Sequence, residues 1–242
     1  MLASKGKISV RQVIILFIMT TMSPAVRVFP QFVARAAGKA GWLAPLAASI
    51  PVIFLILVLN SMFKNKKEKN LCDIFCEILG NTAGKIVALL YLVWILVLLS
   101  LYIRYYAERI LSTTMPDTSI TFFIAVMLCF VLFAAKKGLV TVARANEIFF
   151  IIFILVFSLS FVLSISQIEY RNLMNVSYLD AWPAAKASAG IFSIWGYIIY
   201  IFFFAQQIND YEKIKKFGLR GLGILVISTI ALLIMTIGSL GA

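Results

Sequence analysis

Long uncharged apolar runs alternate along this chain with short basic connections. Seven runs stand out: residues 12 to about 34, 42–63, 86–103, 118–135, 148–168, 187–209 and 221–242, the last six each holding 18 to 23 residues without a charge. At about 1.5 Å of rise per residue, a helix of that length matches a hydrocarbon core of about 30 Å. The runs are continuous and do not alternate, which predicts helices and excludes a β-barrel. Between the second and third, Leu71, Ile74, Phe75, Ile78 and Leu79 share one face of an 11-residue amphipathic segment ending at Asn81, the pattern of a helix lying along a membrane interface. The longest polar connection, 167–186, contains Asp180-Ala181-Trp182-Pro183 and predicts a structured loop with a short helix.

Two runs are irregular in matching ways. The first is broken near its middle by Met22-Ser23-Pro24 and then carries Arg27 and Pro30. Proline removes a backbone donor, and an arginine at membrane depth costs at least a few kcal/mol, so both belong where a helix faces protein or a polar cavity. The sixth run contains Gly190, Ser193 and Gly196 beside the aromatics Phe192, Trp195 and Tyr197, a second point where a helix can unwind. Runs one and six are corresponding members of two five-helix halves. Paired interruptions in such positions point to the midplane site of an inverted-repeat transporter. The fold expected is an all-α polytopic membrane protein, with helices one and six interrupted and one transmembrane domain over residues 1–242: residues 1–168 form a first repeat and 169–242 begin a second.

Composition supports this class. Hydrophobic residues make up 62% of the chain, charged residues 13%, and mean hydropathy is +1.01. The net charge of +12 sits between apolar runs and reads as a topology signal, not as a nucleic-acid surface. With the N-terminus inside, fourteen basic residues, including Lys5, Lys7, Arg11, Lys66, Lys67, Arg144 and Arg220, fall on the inner side against six outside, so the positive-inside rule predicts a cytoplasmic N-terminus. Cys72, Cys76 and Cys129 are expected to be free thiols, and the lack of histidine excludes a Cys/His zinc site. No nucleophile–base pair, phosphate loop or metal cluster is present, so neither an enzyme nor a cofactor is expected.

Individual residues divide between packing and function. Arg27 suits either a ligand carboxylate or neighbouring carbonyls. Glu147 lies at helical spacing from Arg144, which predicts an ion pair within one helix. Tyr91 and Trp94 belong to an aromatic stripe that continues through Leu98 and Tyr102 on the third run; such a stripe serves packing or lines a site. Gln206 and Gln207 are expected at the interface.

The opening residues carry a resemblance. Ile8-Ser9-Val10-Arg11-Gln12, then Ser23-Pro24-Ala25-Val26-Arg27-Val28-Phe29-Pro30, then Ala34-Arg35-Ala36-Ala37-Gly38-Lys39-Ala40-Gly41-Trp42-Leu43, resemble the start of the GerAB-type spore germination permeases. These are B subunits of nutrient germinant receptors, in the amino acid–polyamine–organocation superfamily. The resemblance implies a LeuT-like 5+5 inverted-repeat fold in the spore inner membrane, with receptor A and C subunits as partners. Family members have ten spans, so this chain corresponds to the first seven, and its end at Ser239-Leu240-Gly241-Ala242 reads as a shortened product. It further implies that a small amino acid-like nutrient binds between Thr21, Met22, Ser23, Pro24 and Ala25 on one side and Ser193, Trp195, Gly196 and Tyr197 on the other, with Arg27, Tyr91 and Trp94 nearby. Freed amides at a half-helix start near Ala25 would hold a carboxylate, and carbonyls near Thr20 to Met22 an ammonium group. Three functions fit: a receptor subunit that senses the nutrient, an ion-coupled amino acid transporter built on the same helices, and a truncated fragment without independent function.

Overall fold

The computed structural model describes residues 6–65, 69–174 and 176–241. Lys5, Lys66, Lys67 and Ala242, used above in the charge count and the last run, lie outside the described residues. The described chain is helical: α1 (Val10–Ala37), α2 (Ala44–Asn65), α3 (Leu71–Leu79), α4 (Asn81–Thr113), α5 (Ile120–Lys137), α6 (Leu139–Ser164), α7 (Ala181–Trp195) and α8 (Ile214–Leu240). Among the described residues, five helical stretches are long and apolar enough to cross a membrane: Val10–Lys64, Asn81–Thr113, Ile120–Lys137, Leu139–Gln167 and Tyr211–Leu240. The first stretch contains both α1 and α2, joined through a 3-10 segment at Gly38–Leu43. The sixth expected run is not among the five; it is α-helical as α7 and continues as a 3-10 helix over Gly196–Gln207.

The first helix corrects the expectation of an interruption. α1 runs unbroken from Val10 to Ala37 with Pro24 and Pro30 inside it. Each proline removes only the bond to the carbonyl four residues earlier, Thr20 and Val26, at about 3 kcal/mol. Unwinding a turn instead would strand several backbone groups in apolar surroundings at a few kcal/mol each. Packing also holds the helix through this point, because Thr21, Met22, Ala25, Phe29 and Val33 are all buried on one face. The Thr21 hydroxyl donates back to the carbonyls of Phe17 (2.8 Å) and Ile18 (2.9 Å). At its start, Ser9 and Gln12 form a reciprocal cap: the Gln12 amide donates to Ser9 Oγ (3.2 Å) and the Ser9 amide to Gln12 Oε1 (3.0 Å).

The chain forms two compact units. The larger comprises Ile8–Lys67, Ala143–Ile201 and Ile208–Ala242. Its core is a four-helix bundle in which α1 packs on α7 and α8, and α2 packs on the same two helices. Exchanging the first span with the sixth and the second with the seventh maps these pairings onto themselves. Small residues set the closest approaches. A methyl on Gly190 of α7 would collide with the Phe32 ring of α1, and one on Gly221 of α8 with Ile14 of α1. The far end is tied by the loop after α6: the Glu169 amide (3.0 Å) and Asn172 Nδ2 (3.1 Å) both donate to the Gly238 carbonyl, and Lys39 Nζ donates to the Arg171 carbonyl (3.3 Å). The loop is structured, as its composition predicts, with short 3-10 turns at Ile165–Gln167, Tyr170–Asn172 and Tyr178–Asp180.

The smaller unit comprises Met1–Lys7, Glu68–Val142 and Phe202–Gln207. Here α3 folds back along α4 through Gly80, whose φ of 84° is a left-handed turn that suits glycine. Asp73 caps α3 by accepting from the Asn70 amide (2.9 Å). Leu71 and Ile74 are buried against α4, whereas Ile78 and Leu79 are exposed. The amphipathic helix thus ends two residues before Asn81. All three cysteines are free thiols.

Candidate functional site

Because α1 is a continuous helix, its two faces are distinct. The buried face holds Thr21, Met22 and Ala25, and Met22 Sδ accepts from the Thr229 hydroxyl of α8 (3.9 Å). The opposite face exposes Thr20, Ser23, Arg27 and Gln31, spaced three or four residues apart and therefore stacked in one stripe. Pro24 has no amide N–H to donate to the Thr20 carbonyl, the acceptor four residues before it. A row of hydroxyl, guanidinium and amide groups on a helix of membrane-spanning length requires a polar surrounding at that depth.

The antiparallel α7 carries polar groups at the same depth. Phe32 of α1 abuts Gly190 of α7, and the start of α1 lies beside Ile208, beyond the end of α7. Five residues along α1 from that contact, or about 7.5 Å, brings Arg27 to the depth of Ser193 to Tyr197. Ser193 is exposed, and its hydroxyl donates to the Gly190 carbonyl (2.7 Å). Trp195 is fully buried, and its indole Nε1–H finds no acceptor among the described residues. At Gly196 the α-helical pattern gives way to the 3-10 run, with open space where a side chain would project. A 3-10 run of that length is uncommon and marks a hinge or a strained segment.

The expected ligand-binding residues therefore divide into groups. Ser23, Pro24 and Arg27 fall on or beside the polar stripe, and Ser193, Gly196 and Tyr197 come to the same depth on α7. Thr21, Met22 and Ala25 turn into the bundle core instead. Half-helix amides at Ala25 do not form, because α1 keeps its backbone bonds there. Tyr91 and Trp94 belong to the smaller unit, where Tyr91 sits 5.5 Å from the Phe203 ring and Trp94 is half exposed. Gln31 is not among the expected site residues, and Thr20 is expected there only through its carbonyl; their spacing from Ser23 and Arg27 is the signal for the stripe, legible once α1 is continuous.

A second polar cluster sits at the start of α1 and is also a correction. Glu147 of α6 pairs not with Arg144 but with Arg11, and also accepts from Gln12 Nε2 (3.0 Å). The Val10 amide donates to Asp210 Oδ1 (3.1 Å), Asp210 Oδ2 pairs with Lys213 (3.1 Å), and the Asn209 amide donates to the Ile8 carbonyl (2.8 Å). The first turn of α1 is thus held from two directions. Beside it, a cleft of about 370 Å³ is lined by Arg11, Glu147 and Arg220 at its rim and by isoleucines and phenylalanines of α1, α6 and α8 along its walls.

Comparison with known proteins fits this architecture to a family. The model of the family described as spore germination protein matches residues 7–242, nearly the whole chain. The chain belongs to the spore germination protein family. Within it, Spore germination protein KB of Bacillus subtilis (strain 168) is 23% identical over 94% of this chain and 62% of its own length. Putative spore germination protein YfkT of the same organism is 26% identical over 64% of this chain and 43% of its own length. The chain therefore spans less than two-thirds of the length of these relatives. No solved structure matches it at a significant level. Family membership and the apolar helices together make it an integral, multi-pass membrane protein.

Proposed function

We propose that this chain is the membrane subunit of a spore nutrient germinant receptor, and that an amino acid-like nutrient binds on the polar face of α1 at the depth of Ser193 to Tyr197. The observation that carries the reading is the stripe Thr20, Ser23, Arg27 and Gln31 on a spanning helix of a spore germination family member. Arg27 is suited to a carboxylate, and the Thr20 carbonyl released by Pro24 to an ammonium group. Trp195 adds a buried donor that lacks an acceptor among the described residues. The self-consistent exchange of pairings in the four-helix bundle supports a LeuT-like inverted repeat, of which 1–168 and 169–242 are the first repeat and part of the second. The N-terminus is cytoplasmic in this reading, the membrane is the spore inner membrane, and the A and C receptor subunits read the conformation that the nutrient favours. Binding shifts that conformation only so far as the nutrient prefers one state, and the 3-10 segment beyond Gly196 is the natural place for states to differ.

Replacing Ser193 with phenylalanine fills the proposed site. Spores carrying S193F are expected to lose the germination response to an amino acid mixture while keeping the protein in the membrane. An unchanged response would refute the site. Uptake of labelled amino acids into proteoliposomes separates the receptor from an ion-coupled transporter on the same helices: saturable, gradient-driven flux belongs to the transporter.

A further inference from the structure

The cleft at the start of α1 has the chemistry of an amphiphile site and lies away from the polar stripe. Three charged groups form its rim: Arg11, Glu147 and Arg220. Glu147 is engaged by Arg11 and Gln12, which neutralises one guanidinium. Arg220 is exposed on α8 and has no acidic partner among the described residues. Arg144 on α6 and Lys216 on α8 add positive charge around this end. Inward from the rim the walls are apolar, with Ile15 and Ile18 on α1, Phe150 and Ile151 on α6 and Ile224 on α8, while Phe217 of α8 lies at the level of the rim. From Arg11 to Ile18 the wall runs seven residues, or about 10 Å of helix. A cationic rim above a deep apolar wall, set between spanning helices, complements a negative headgroup carrying a hydrocarbon tail.

We infer that this cleft binds an anionic phospholipid, its phosphate on Arg220 and one acyl chain along the α1–α6–α8 wall. Charge complementarity selects the headgroup, since a zwitterionic lipid brings a cation to a rim that is already positive. The wall selects a lipid over a free anion. Guanidinium pairs with phosphate through two parallel hydrogen bonds, so lysine at this position is a weaker substitute.

The test is native mass spectrometry of the full chain, delipidated in detergent and then incubated with phosphatidylglycerol or phosphatidylcholine. The wild type is expected to retain one phosphatidylglycerol and to discriminate against phosphatidylcholine. R220Q loses retention by about tenfold, the effect of one charge-assisted contact. K215Q, which removes the same charge on a different face of α8, leaves it unchanged. I15W, which occupies the wall and touches no charge, also lowers retention, so the result does not depend on R220Q alone. Melting temperature in detergent without lipid tells whether each variant is folded. Equal retention by R220Q and wild type, equal loss in K215Q, or retention of both lipids alike would overturn the proposal. Full displacement of phosphatidylglycerol by inorganic phosphate would overturn it too, by showing an anion site that does not need the chain.

Discussion

Arg27 and Glu147 illustrate how differently two membrane charges are used. Arg27 stands in the middle of α1 on a polar stripe, where a bare guanidinium costs a few kcal/mol unless something polar meets it. Substituting it with glutamine removes a charge-assisted bond to a carboxylate. The expected outcome is nutrient sensitivity weakened about ten- to hundredfold, the equivalent of about 1.5–3 kcal/mol, read as a shift in the amino acid concentration that triggers half-maximal germination. Glu147 stands in the third turn of α6, beside the start of α1, and its pair with Arg11 is 62% exposed on the arginine side and 23% on the glutamate side. Such a pair contributes about 1 kcal/mol or less. E147Q is therefore expected to shift the melting temperature by only a degree or two and to leave membrane levels intact. A large loss of folded protein would mean that the clamp on α1 matters more than its exposure suggests. Sequence spacing alone favoured Arg144 as the partner, since nothing in a linear pattern reveals an arginine 136 residues away.

Among the elements, packing outweighs local propensity twice over. Two prolines do not break α1, because a buried face from Val10 to Ala37 holds it against α7 and α8. Pro24 in Met22-Ser23-Pro24 is accommodated inside the helix, next to the exposed Ser23 and without an unwound turn. The glycines of the sixth run divide similarly: Gly190 is a packing contact on Phe32, while Gly196 is where the α-helix ends. Gly190→Leu is expected to destabilise the bundle by about 1–3 kcal/mol through overpacking, seen as a lower melting temperature in detergent. Gly196→Ala meets open space, so its effect is expected on the germination response and little on stability. In the smaller unit, burial and the neighbouring Cys72 hold the Cys76 thiol above its ordinary range. Alkylation of Cys76 is accordingly expected to be slow near neutral pH and to accelerate as pH rises, because the thiolate is the reacting form.

For the whole molecule, hydropathy made the class legible. Run lengths anticipated α2 and α5 to two residues at each end, whereas α4, α6 and α8 begin five to nine residues before their runs and α4 ends ten residues after, because charged residues such as Lys85, Glu147 and Arg220 end an uncharged run without ending the helix. The pairing of α1 and α2 with α7 and α8 was not legible, since it depends on which small residues meet, as at Gly190 and Gly221. Nor was the face of α1 that meets polar surroundings, which follows from helix continuity. The central claim, that an unbroken α1 turns Ser23, Arg27 and Gln31 toward a nutrient and Ala25 into the bundle, is open to direct measurement. With Cys72, Cys76 and Cys129 replaced by serine, single cysteines at Ser23, Ala25 and Gln31 are probed in membranes by a charged methanethiosulfonate reagent, with and without an amino acid mixture. The account predicts that S23C and Q31C are modified and are protected by the mixture, while A25C does not react. Reaction at A25C with S23C and Q31C silent, or labelling at all three that the mixture leaves unchanged, would contradict it.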